Sequence, residues 1–263
     1  TSRCEESCSQ LITAGDPKQL GPVLRSRFSF EYGLDLSIME RLMRDVREHQ
    51  YRDDKAYNVR YITKLVRNYR SHDDILRIPR QLFYDNELIA CGDEMILNSM
   101  LGWDGLPNQK FPILFHSVFG NDEREEDSPS FFKRDEIAQV DKYLNKLLNK
   151  KKKGLQIKQA DIGIIFPYRK QLREMIRMKK YNVKKGDIMV GSVEEFQGQE
   201  FKVIIISTVR SNKSLAYQEI DLLFNLGFLG NPKRFNVAIT RARALLFVVG
   251  NPITLEQDPY WKR

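Results

Sequence analysis

Several short segments of this chain combine residue types that bind phosphate and bases. In Arg67-Asn68-Tyr69-Arg70-Ser71-His72 an aromatic ring adjoins a guanidinium, so the ring can stack on a base while Arg70 pairs with phosphate. Gly15-Asp16-Pro17-Lys18-Gln19-Leu20-Gly21-Pro22 is a turn-rich loop that carries Gln19. Two further polar insertions, VGSVEEFQGQE (190–200) and RFNVAITRAR (234–243), each lead into an apolar run. No G-x-x-x-x-G-K-[ST] occurs, so no loop cradles a β-phosphate and no lysine of that loop is supplied. Asp135-Glu136 comes nearest to an acidic metal-binding pair, but Lys133 and Arg134 precede it and a helical pattern follows, so no metal ligands are assigned.

The elements that must position these segments read as alternating strands and helices. Leu11–Ala14, Tyr61–Val66, Ile113–Val118, Ile162–Phe166, Ile188–Val193, Val203–Val209 and Leu245–Val249 are short β-branched runs. Several have no polar break, as strands covered on both faces require. Ile137, Val140, Leu144, Leu147 and Leu148 share one helical face, as do Leu172, Met175 and Ile176. This alternation predicts an α/β fold, a parallel sheet flanked by helices, with Gln19 and the Tyr69-Arg70 pair at carboxyl ends of strands, where open sheets bind ligands. A helical segment from Ser37 to about Glu48 and the polar stretch Gln50–Asn58 set a domain boundary near residue 50, giving 1–50 and 51–263. Asn121–Pro129 reads as an exposed acidic loop, and Gly92–Lys110, without a clear period, as an irregular insertion.

Composition narrows the partners. The net charge is +8, and residues 142–185 hold fifteen Lys/Arg against only Asp161 and Glu174, which favours a polyanion or a solvated helix face with a lysine loop at 150–153. Three cysteines, Cys4, Cys8 and Cys91, are too few for a disulfide framework or a four-ligand zinc site. No window approaches a membrane span of roughly 18 apolar residues, so a soluble protein of a reducing compartment is expected.

Taken in order, GDPKQLGP, NYRSH, IIFPYRKQ, VGSVEEFQGQE and RFNVAITRAR resemble motifs III and IV, the proline-tyrosine motif, and motifs V and VI of superfamily 1 helicases. Their form is similar to the Upf-like group. Within it, GDPKQLGPVLRSRF, SIMERLMRD, ITKLVRNYRSH, QLFYDNEL, LGWDGLP and GFLGNPKRFNVAITRA resemble the Mov-ten/Armitage RNA helicases. Phe166, where relatives commonly have threonine, and Glu194-Glu195, in place of the usual aspartate spacing, depart from the pattern.

The resemblance implies the second RecA-like motor domain of an ATP-dependent RNA helicase moving 5′ to 3′, with 1–50 the tail of the first. ATP and Mg2+ would be held mainly by a first motor domain lacking here, so the fragment alone is expected to be inactive. It implies Arg70 and Arg241 as cations that meet charge on the transferred phosphoryl, and Gln19 as a γ-phosphate sensor. Tyr69 would stack on adenine, Glu200 would contact ribose or order the site, and Gly198 and Arg243 would complete the nucleotide side, Arg243 either assisting Arg241 or pairing with a neighbouring carboxylate. His72 reads as a cap or core residue. Pro167, Tyr168, Arg169, Ser192 and Val193 would lie near single-stranded RNA, with Lys170 and Arg173 adding attraction. Argonaute or Piwi proteins, small-RNA (piRNA) silencing and cytoplasmic ribonucleoprotein granules are implied in the same way. A DNA helicase of the superfamily, or a helicase-like interaction platform for such complexes, is the alternative.

Overall fold

The computed structural model describes residues 10–22, 24, 26–51, 57–124, 130–149, 157–178, 188–211 and 228–263. Cys4, Cys8, Lys150–Lys153 and Glu125–Asp127 lie outside the described residues. The chain divides into two compact units, Thr1–Leu65 and Val66–Arg263.

In the first unit, α1 (Arg27–Glu31) and α2 (Ile38–Asp45) are short helices. Ser37 Oγ accepts from the Glu40 backbone N–H at 3.1 Å and starts α2, as a side-chain oxygen at an N-cap should. A single 3-10 turn, Arg47–His49, follows, so the helical segment expected from Ser37 to about Glu48 is present. The strand expected at Leu11–Ala14 is absent. These residues are exposed and outside any ladder, Ile12 at 88%, because an apolar run becomes a strand only where a neighbour takes its N–H and C=O groups.

The second unit opens on β1 (Arg67–Asn68), which pairs in parallel with β2 (Ile89–Ala90) through two rungs. The strand expected at Tyr61–Val66 is thus displaced: Tyr61 sits in a turn, Leu65 is exposed, and pairing begins where Ile89 N–H reaches the Val66 carbonyl at 2.9 Å. Between them runs α3 (Asp73–Phe83), and α4 (Glu94–Leu97) follows. The segment read as an irregular insertion, Gly92–Lys110, sends Leu97, Met100, Trp103 and Leu106 into buried positions.

Five strands make the main sheet: β3 (Ile113–Ser117), β6 (Ile162–Ile165), β7 (Met189–Gly191), β8 (Phe201–Ser207) and β9 (Ala242–Gly250). They run in the order β3-β9-β8-β6-β7, every neighbouring pair parallel, which is the α/β class expected. An antiparallel ribbon of β4 (Glu123–Arg124) and β5 (Phe131–Phe132) lies outside it. Against one face packs α5 (Arg134–Asn149), with Ile137, Val140, Leu144 and Leu147 clustering on Ile162, Ile164, Val203, Ile205 and Phe247. Toward the other face lie α3, α7 (Pro232–Ile239) and α8 (Pro252–Leu255), where Ile75, Phe235 and Leu255 line a cavity with Leu246 and Val248. In α6 (Arg169–Met178), Met175 is buried as expected but Ile176 is 46% exposed. Gln171 and Glu174 are buried in its stead: Gln171 accepts from the Lys133 N–H and donates to the Lys133 carbonyl and Ser207 Oγ, which holds that face inward.

Parallel strands give the sheet two distinct edges. The amino ends of β8 and β9 start at Phe201 and Ala242, and the carboxyl ends of β6, β7 and β8 finish at Ile165, Gly191 and Ser207. The seven residues of β8 hold these edges about 20 Å apart.

Candidate functional site

The turn after β1 is built by Asn68, whose Oδ1 accepts from the backbone N–H groups of Arg70 at 2.9 Å and Ser71 at 3.0 Å. This asparagine turn projects Tyr69 outward, leaving its ring 63% exposed. Gly92 passes beneath it: a Cβ there would lie 2.6 Å from the Tyr69 carbonyl oxygen, so no larger residue fits. His72 then caps α3, its Nδ1 accepting from the Asp74 N–H at 3.1 Å, with Asp73 and Asp74 suiting the positive end of the helix. Neither Asn68 nor Gly92 was assigned a role by sequence; the Asn-x-x turn geometry was the available signal for the first.

The His72 N–H donates to the Arg243 carbonyl at 2.8 Å, bringing the turn to the start of β9. There Arg70 Nε donates to Glu200 Oε2 at 3.0 Å, and Arg70 Nη1 to the Thr240 carbonyl at 3.4 Å. Arg243 Nη1 stands 3.4 Å from Glu200 Oε1, and its buried Nε has no hydrogen-bond partner among the described residues. Arg241 lies deeper, 1% exposed: Nε donates to the Val237 carbonyl at 3.0 Å, Nη1 to Gln199 O at 3.3 Å, and Nη2 to Thr240 Oγ1 at 3.1 Å. Sequence spacing brought Arg241 to this place but not its burial. Two guanidiniums, of Arg70 and Arg243, thus share the Glu200 carboxylate beside an exposed ring, and the buried Arg241 joins them through Thr240. The two arginines outnumber the one carboxylate they share, a charge balance that can accept an anion.

The loop Ser192–Glu200 reaches this cluster from the far edge. Buried Val193 and Phe196 anchor it, Glu195 Oε2 accepts from Ser192 N–H at 2.7 Å, and Glu194 pairs with Arg234 of α7. Gly198, at φ +82°, makes the reversal that delivers Glu200. At the opposite edge Pro167 and Tyr168 follow β6 and Ser192 and Val193 follow β7. Pro167, Tyr168 and Val193 are buried, Ser192 is half-buried and Arg169 exposed, so a strand passing here would meet backbone, the Ser192 hydroxyl and basic groups of α6. Gln19 belongs to the first unit, where Nε2 donates to Asp16 Oδ2 at 2.8 Å.

The expectation of an exposed acidic loop at 121–129 holds for Asn121, Glu123 and Arg124 among the described residues and is corrected at Asp122. Its side chain is 1% exposed, accepting from Arg210 Nη1 at 2.7 Å and the Ser211 N–H at 3.1 Å. A neighbouring buried group was read as a rejected metal pair: Glu136 is fully buried and burial pushes its carboxyl up to about 7, against the hydrogen bonds from Ser207 and Val209 and the charge of Lys133. Burial likewise lowers Lys133.

Comparison with known proteins places these features in a family. A family model described as an AAA domain matches residues 34–253. A protein of Danio rerio named as a helicase, mov-10-B.1, is 54% identical over 262 residues, covering 97% of this chain and 26% of that protein. RNA helicase Mov10l1 of Mus musculus is 51% identical over 256 residues, 95% of this chain and 21% of its own length. For armi of Drosophila melanogaster, named as an RNA helicase, identity is 35% over 271 residues, covering 97% and 22%. The chain spans about a quarter of the length of the curated relatives it matches.

Proposed function

The chain belongs to the AAA domain family of superfamily 1 helicases, and on that premise we propose that it is the second motor domain of an ATP-dependent RNA helicase. The observation that carries the reading is that Arg70 and Arg243 share Glu200 beside exposed Tyr69, with Arg241 held next to them on the Gln199 carbonyl. In this reading the first motor domain of the longer protein supplies the phosphate-binding loop and Mg2+ ligands. Bound ATP supplies the phosphoryl group whose transfer releases energy.

The roles of this chain's residues follow from their placement. Tyr69 stacks on the base. Arg70, half-exposed on a short turn, exchanges Glu200 for a phosphate oxygen and stabilises the charge that develops there. Arg241, locked by carbonyls, orients Thr240 and Gln199 around Arg70, and it reaches phosphate itself only when those bonds yield. Gln19 serves the first domain's side as the γ-phosphate sensor. Single-stranded RNA runs along the opposite edge past Pro167, Arg169 and Ser192, held chiefly at phosphates. Argonaute- or Piwi-type partners, a small-RNA silencing role and a cytoplasmic setting belong to the same proposal, on motif resemblance alone.

The test is RNA-stimulated ATP hydrolysis by the intact protein at one salt concentration, with DNA as competitor. Turnover that depends on RNA and is abolished by Arg70→Ala supports the reading. Equal stimulation by DNA points to a helicase without sugar preference, and turnover indifferent to Arg70 removes the assignment.

A further inference from the structure

Beneath the carboxyl edge lies a polar cluster that the nucleotide side does not use. Glu136 Oε2 accepts from Ser207 Oγ at 2.7 Å and from the Val209 N–H at 2.9 Å. Lys133 Nζ stands 3.9 Å from Glu136 Oε1 and donates to the Val118 carbonyl at 2.8 Å and to Ser211 Oγ. Gln171, from α6, donates to Ser207 Oγ at 3.1 Å and to the Lys133 carbonyl at 3.2 Å. Four stretches of chain meet there: the turn into α5, α6, the end of β8, and the loop holding Asp122.

Two details show what the cluster holds in place. Val209 has φ +70°, a conformation that a β-branched residue adopts only when its surroundings impose it. Its side chain packs with Phe131 and Tyr168, which meet edge-on at 5.5 Å, while the Arg210 guanidinium lies 4.1 Å over the Phe131 ring. Tyr168 in turn sits between Pro167 and Arg169. A buried carboxylate is a costly way to fill a core, and an apolar side chain would do so at least as well; here its acceptor oxygen fixes a strained backbone position.

We propose that Glu136 is a positioning residue for RNA: through the Val209 N–H it holds the segment Thr208–Ser211 against Tyr168, and so sets where Pro167 and Arg169 meet the strand. The inference rests on the proposed RNA track. Ionised Glu136 holds the Val209 N–H most strongly; protonation weakens that hold, and the edge loosens. The charged groups facing Glu136 are Lys133 from its own turn and Asp122 from the loop after β3, with Arg210 paired to the latter; Gln171 and Ser207 are the neutral groups facing it from α6 and β8.

The experiment is hydrolysis by the intact protein at saturating ATP, titrated with single-stranded homopolymer RNA between pH 6 and 8.5, for wild type, Glu136→Gln and Ser207→Ala. Wild type is expected to need about tenfold more RNA for half-stimulation as pH falls through 7. Glu136→Gln should behave at every pH like the protonated wild type, without the step. Ser207→Ala, which removes a donor that favours the ionised form, should move the step to higher pH, and this milder variant decides the matter if Glu136→Gln fails to fold. KM for ATP and RNA-free turnover stay unchanged in each. A step retained in Glu136→Gln, an unmoved step in Ser207→Ala, or an equal shift in KM for ATP overturns the positioning role while leaving the motor intact. Absence of RNA stimulation in wild type overturns the RNA reading itself, and this inference with it.

Discussion

Glu200 accepts a hydrogen bond from Arg70 Nε at 3.0 Å, joining the turn after β1 to the start of β8 across 130 residues of sequence. Both side chains are partly open to solvent, 26% and 43% exposed, so the pair contributes little to stability. In the proposed function it keeps the Arg70 guanidinium oriented by a carboxylate that a phosphate would replace. In the intact protein, Arg70→Ala is expected to lower RNA-stimulated turnover by roughly a thousandfold or more. Glu200→Gln should lower it by about tenfold, with melting temperature nearly unchanged. Steady-state hydrolysis and thermal melts check both.

Arg241 behaves differently because it is buried. Its removal takes one hydrogen bond each from the Val237 and Gln199 carbonyls and opens a void. Arg241→Ala is therefore expected to destabilise this chain by roughly 3 kcal/mol, whereas Arg70→Ala costs under about 1 kcal/mol. Chemical denaturation of the two variants separates them. Equal melting curves would mean that Arg241 does not anchor the fold.

Tyr69 offers a face rather than a functional group. Tyr69→Phe should retain the KM for ATP, and Tyr69→Ala should raise it by about tenfold with kcat little affected, since a base-stacking contact is worth about 1–3 kcal/mol. A Tyr69→Phe variant as weak as the alanine would show that the hydroxyl, not the ring, makes the contact.

Burial of Glu136 has a pH signature in stability. Its carboxyl titrates near 7 when folded, against 4.5 ordinarily, so the unfolded chain loses this proton first. The stabilising contribution is complete below about 4.5 and is lost as pH rises through 7, a difference of roughly 3 kcal/mol. Glu136→Gln lacks the titration. Between pH 5 and 8 the wild type should lose stability relative to this variant, read by urea midpoints; parallel midpoints would refute it.

How much of this was legible depends on range. β6, β8, β9 and the buried face of α5 followed from unbroken apolar runs and a 3.6-residue period, both local signals that burial enforces. The polar segments around Tyr69, Glu200 and Arg241 were legible as candidates. That Arg70 and Arg243 share Glu200 was not, because the pairing depends on which strand ends lie adjacent. Asp122 sits among Glu123, Glu125 and Glu126, and no composition rule says that this one carboxylate meets Arg210 in the interior. Leu11–Ala14 failed the other way, its residues suited to a strand but its ladder partners missing among the described residues. Met100, Trp103 and Leu106 are buried in turns, where periodicity has no purchase.

The ribbon of β1 and β2 has two rungs and stands apart from the five-stranded sheet. Its amide protons at Ile89 and Cys91, which bond to Val66 and Asn68, should therefore exchange with solvent deuterium through a small local opening. Those of Val203–Ser207 wait for the whole sheet to come apart. The turn that carries Tyr69 and Arg70 starts from the less durable of the two and is tied to the other through His72 and Arg243. Under the proposed function, local opening of this ribbon would interrupt contact with phosphate while the main sheet stays folded.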